Sequence, residues 1–70
     1  MKFLKIQTVI SMTSLSRSSI YAAIRAGAFP AQIQLGERSV AWLESDIQNW
    51  MEACINNHNQ MISLRHAIPI

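Results

Sequence analysis

The run Thr13-Ser14-Leu15-Ser16-Arg17-Ser18-Ser19-Ile20-Tyr21 constrains this chain most, because a small-polar turn opens there directly into a helical pattern. Ser16 is of the type that caps helix N-termini, its hydroxyl accepting from an otherwise orphan amide, and Leu15 before it can staple the turn to a core. From there Ile20, Ala23 and Ile24 recur on one face, while Arg17, Tyr21 and Arg25 follow at i, i+4 and i+8 on another, flanked by Ser18 and Ala22. Gly27 supplies the left-handed residue that ends many helices, and Phe29-Pro30 leads the chain away extended. The spacing predicts a helix of about three turns with one face for the core and one for a ligand, a length that suits a DNA major groove.

The neighbouring segments frame that helix. Ile6, Val9 and Ile10 are spaced as the buried stripe of a short first helix, which Ser11-Met12-Thr13-Ser14 should stop. Two helices joined so tightly form a helix-turn-helix. Beyond Pro30, Ile33-Gln34-Leu35 and Val40-Ala41-Trp42 alternate as half-buried strands do, and Gly36-Glu37-Arg38-Ser39 between them is turn-like, so a β-hairpin, or wing, is expected. Ser45 to Gln48 has capping-box spacing, after which Ile47, Trp50, Met51, Cys54 and Ile55 recur as the core stripe of a third helix. A polar break is expected over residues 56–60, followed by an apolar tail over residues 61–70. The expected architecture is mainly α with a small β-hairpin: a winged helix-turn-helix of three helices plus wing over residues 1–56, and a C-terminal tail over residues 57–70 that is disordered or self-associates.

Size and charge narrow the function. A chain of 70 residues buries only about 60% of its unfolded surface and has little room for an enclosed catalytic pocket, so an enzyme is not expected. Six Lys and Arg against four Asp and Glu leave a net charge of only +2, so any nucleic-acid site must be local. The single cysteine, Cys54, excludes an internal disulfide and a zinc site built on cysteine pairs, and fits a reducing cytoplasm. The apolar run at the N-terminus breaks at Lys5 and Gln7 with no cleavage pattern after it, and no stretch reaches the ~18 apolar residues of a membrane span.

Catalytic and metal chemistry find little support. Cys54 and His58 can share a helix face, but no third ligand accompanies them, and a cysteine on an apolar stripe is usually a small core residue. Neither His58 nor His66 is placed beside a serine together with an acidic orienter, so the serines read as turn and capping residues. Gly27 and Gly36 are too isolated to cradle a phosphate and are assigned to backbone conformation. No cofactor is expected. Trp42 and Trp50 fall at inward-facing positions and read as core.

The polar face of the second helix is different. Tyr21 stands where a solvated surface would carry Glu, Lys or Gln, and Arg38 sits at the tip of the hairpin, where a winged domain meets DNA backbone or minor groove. The runs S-L-S-R-S-S-I-Y, G-A-F-P and L-G-E-R-S-V-A-W-L-E-S-D-I-Q-N-W together resemble the AlpA-like regulators of prophages and genomic islands, relatives of the excisionases with a fold similar to the MerR DNA-binding domain. The resemblance covers roughly Ile6 to Met51. It implies a bacterial, cytoplasmic, nucleoid-associated transcriptional regulator that binds double-stranded DNA and can promote excision through an integrase or recombinase. Ser16, Arg17, Ser18, Ser19, Tyr21 and Arg25 would be its recognition-helix residues and Arg38 its wing residue. Members commonly carry a basic residue soon after the Tyr and a Lys or Pro after the Phe-Pro, where this chain has Ala22, Ala23, Ala31 and Gln32. The alternative is a protein-interaction adaptor that docks on an integrase or repressor without strong DNA binding of its own.

Overall fold

Short apolar stripes, each too narrow to be stable alone, converge on one small core. In the computed structural model the elements run β1 (Phe3–Leu4), α1 (Ile6–Thr13), α2 (Arg17–Arg25), β2 (Ile33–Gln34), β3 (Val40–Leu43) and α3 (Glu44–Ala67). The structure describes the backbone of residues 1–67 and the side chains of residues 1–59. Three helices and a β-hairpin form the expected winged helix-turn-helix.

Both helix boundaries around the tight turn follow from local chemistry. In α1, Val9 is buried and Ile6, Ile10 and Met12 pack around the core. The helix ends because Ser14 turns into the left-handed region at φ 62°, its N–H donating to the Ile10 carbonyl. Thr13 Oγ1 braces this turn, donating to the Val9 carbonyl at 2.8 Å and accepting from the Leu15 N–H at 3.3 Å. Ser16 caps α2 as expected, accepting from the Ser19 N–H at 3.1 Å. At the other end Gly27 sits at φ 75°. Its N–H donates to the Ile24 carbonyl at 3.0 Å and that of Ala28 to the Ala23 carbonyl at 2.8 Å, the paired bonds of a Schellman motif.

The sheet has one strand more than the expected hairpin. β3 is central in the order β1-β3-β2, pairing Phe3 with Leu43 and Leu4 with Trp42 on one side, and Ile33 with Ala41 and Gln34 with Val40 on the other, all antiparallel. Leu35 lies outside β2 and is exposed. Leu4, Val9, Ile20, Phe29, Trp42 and Ile47 form the buried cluster. Trp42 is its largest fully buried side chain at 0% exposure, and its indole N–H donates to the Pro30 carbonyl at 3.0 Å, which removes the cost of burying that polar group.

Three expectations about the C-terminal half are corrected. Ser45 is not an N-cap, because β3 passes directly into α3 at Glu44, whose own N–H bonds back to the Lys2 carbonyl and extends the β1 pairing. Residues 56–60 do not break the helix, which runs on to Ala67: Asn, His and Gln are only mediocre helix formers, whereas Gly and Pro, the true breakers, are absent there. Cys54 and Ile55 are exposed rather than core, because α3 has by then passed the surface that covers Ile47, Trp50 and Met51. Of the tail expected over residues 57–70, the side chains of residues 60–70 lie outside the described residues.

Candidate nucleic-acid interface

The direction of each side chain on α2 follows from about 100° of rotation per residue. Measured from the buried Ile20, Ser18 and Ala22 lie about 160° away and Arg25 about 140°, whereas Tyr21 lies about 100° and Arg17 only about 60° away. Ser18, Ala22 and Arg25 thus form the outward face, and all three are exposed. It is narrow and free of carboxylates. With Ala22 at its middle, its backbone can approach a flat-walled groove closely, and Arg25 offers the planar fork that matches a guanine edge or a phosphate.

The remaining residues expected at this interface divide between flank and turn. Tyr21 is half-buried, its ring meeting Trp42 edge-on at 6.2 Å between centroids, so its body belongs to the packing. Arg17 is exposed at the first helical position and lines a recess with residues of α1. Ser16 donates its hydroxyl to Ser19 Oγ at 2.9 Å while accepting from the Ser19 N–H, which fixes both exposed hydroxyls at the N-terminus of α2. An anion placed there would meet hydroxyls and the positive end of the helix dipole.

Arg38 sits in the β2–β3 turn, exposed as expected. The turn is held at its base by the Leu35 N–H on the Ser39 carbonyl at 2.7 Å, and across its top by Gln34 Nε2, which donates to the Gly36 carbonyl at 3.0 Å. Gly36, expected to owe its place to backbone conformation, has no positive φ. Trp50 is half-buried and packs against the core: it stacks edge-on against Phe29 at 4.8 Å and donates its indole N–H to the Ala28 carbonyl at 2.9 Å, tying α3 to the connection after α2.

Two grooves border these elements. One, of about 580 Å³, has Phe29, Pro30, Asp46, Asn49 and Trp50 among its walls and carries a carboxylate, which disfavours phosphate. The other, of about 470 Å³, is lined by Lys5, Ile6, Gln7, Ile10 and Arg17 and carries two cations and no carboxylate. Lys5 was not singled out from the sequence, because its nearness to Arg17 arises only when α1 and α2 fold together. Among the described residues, no three His, Cys, Asp or Glu side chains converge as metal ligands. No helix there is long and apolar enough to cross a membrane.

Residues 2–55 match the family model described as the prophage CP4-57 regulatory protein, AlpA. Over 50 residues the chain is 48% identical to ORF88 of Enterobacteria phage P4, described as an uncharacterized protein; the match covers 71% of this chain and 57% of that protein. The chain therefore spans less than two thirds of the relative's length.

Proposed function

We propose, from the premise that the chain belongs to the AlpA family of prophage regulatory proteins, that it is a sequence-specific DNA-binding regulator. In this reading α2 enters the major groove by its outward face and the β2–β3 wing meets the adjacent backbone. The observation that carries the reading is that outward face: small, carboxylate-free and ending in Arg25, on a helix fixed at one end by the Ser16 cap and at the other by Gly27. Arg25 reads bases, with Ser18 beside it. Ser16 and Ser19 meet phosphates at the helix N-terminus, Tyr21 contributes through its hydroxyl, and Arg38 anchors the wing. Arg17 belongs to the same interface.

The modest net charge of +2 fits a protein that gains affinity by occupying neighbouring sites, through self-association of residues 57–70 or through an integrase or recombinase that shares its DNA. Promotion of excision is the physiological output that follows from such an arrangement. A chain with these properties acts at the bacterial nucleoid and has no catalytic activity.

The test is selection of duplexes from a random pool by the full chain, followed by a binding titration across salt concentrations. A recovered consensus bound at least about 10³-fold more tightly than random duplex is expected. Arg38→Ala should then weaken all duplexes alike and lower the salt slope by about one. Recovery of no consensus, with equal weak binding to every duplex, would favour the adaptor reading.

A further inference from the structure

The groove between α1 and the start of α2 gathers cations from both sides of the helix-turn-helix. Lys5 stands at the N-cap of α1, Gln7 in its first turn and Arg17 at the first position of α2, and all three are exposed. They line one recess whose remaining walls are Ile6 and Ile10. Two cations brought together from different elements repel each other in water, and no carboxylate in the recess offsets that repulsion. Such a pair is stabilised by an anion that both can reach, and the apolar walls lower the local dielectric and strengthen the contact.

We propose that Lys5, Gln7 and Arg17 clamp one backbone phosphate of bound DNA, so that Arg17 serves affinity and α2 reads sequence without it. The proposal rests on the DNA-binding reading above. Its basis is the pair of side-chain cations and their shared recess. The first turn of α1 adds to it: it has neither a side-chain cap nor an acidic residue, and with the Thr8 N–H donating to the Lys5 carbonyl, the amides of Ile6 and Gln7 are the ones left to meet the same anion. The surroundings of Arg17 agree: at about 60° from Ile20 it lies off the Ser18, Ala22 and Arg25 face, and it shares the recess with Ile6, Gln7 and Ile10 of α1. A phosphate is the same in every base pair, so a residue held there carries no sequence information.

The clamp is tested on the full chain with a selected duplex, comparing Lys5→Ala, Arg17→Ala, the double variant and Lys5→Arg across salt concentrations. Each single alanine should weaken selected and unselected duplexes by the same factor, on the order of three- to tenfold, and lower the salt slope by about one. The double variant should lose less than the product of the two factors, because both cations share one anion. Lys5→Arg should retain the slope, and the consensus should stay the same throughout. Replacing the contacted phosphate with an uncharged methylphosphonate should weaken the wild type but leave the double variant unchanged. An unaltered slope in Lys5→Ala, or a shifted consensus in Arg17→Ala, overturns the clamp while the DNA-binding reading stands. A wild type that binds no duplex overturns both. Circular dichroism of each variant reports folding, and if Arg17→Ala fails to fold, Lys5→Ala and the methylphosphonate decide.

Discussion

The two faces of α2 differ both in residue type and in surroundings. The inner face holds Ile20 at 0% exposure, Ala23 and Ile24 half-buried, and Tyr21 edge-on to Trp42. The outer face holds Ser18, Ala22 and Arg25, all exposed. Truncation on the inner face removes contacts that no other part of so small a core replaces. Truncation on the outer face removes nothing the fold uses. The contrast teaches that this helix is placed by one side and free to act with the other, and that stability and DNA binding should respond to different substitutions.

The largest effect expected is from Ile20→Ala, which leaves a cavity beside Trp42 and should cost about 2 to 5 kcal/mol, enough to unfold much of so small a domain. Thermal denaturation followed by circular dichroism checks it; an unchanged transition would break the inner half of the comparison. Arg25→Ala comes next. It should leave the melting curve within about 0.5 kcal/mol of wild type yet cost about 1 to 3 kcal/mol of discrimination between the selected duplex and one altered at a single guanine. Ala22→Glu places a negative charge in the middle of the outer face. A stable fold with roughly tenfold weaker binding, or about 1.4 kcal/mol, is expected from a titration at constant salt. Tyr21→Phe should have the smallest effect, keeping the edge contact with Trp42 and changing stability by under about 0.5 kcal/mol. Any loss of DNA affinity in that variant then belongs to the hydroxyl alone, and sharpens the boundary between the two faces.

Legibility in the sequence followed the range of the interactions. The limits of α2 were readable because Ser16 and Gly27 act on groups within a few residues of themselves. The wing was readable because β2 and β3 are joined by a short turn. β1 was not, because it is two residues long and pairs with a strand almost forty positions away, so no local pattern announces it. Tyr21 stood out as unlike a solvated residue, but the reason for its presence is Trp42, which only the fold brings beside it. In α3 the apolar stripe continued past the end of the surface that it covers, so periodicity alone placed Cys54 and Ile55 in the core. The pairing of Lys5 with Arg17 was invisible for the same reason as β1: neither residue is unusual until the two share a groove.

The most direct test of a helix that binds DNA by its outer face is a titration of isotopically labelled protein with a selected duplex, followed by the backbone amide resonances. The largest shifts are expected at residues 16–25 and 36–39, with a further set at residues 5–7 from the phosphate clamp. The amides of β1 and of residues 48–59 should scarcely move. Shifts concentrated on residues 48–59, with α2 and the wing unmoved, would contradict the assignment and place the binding surface on α3.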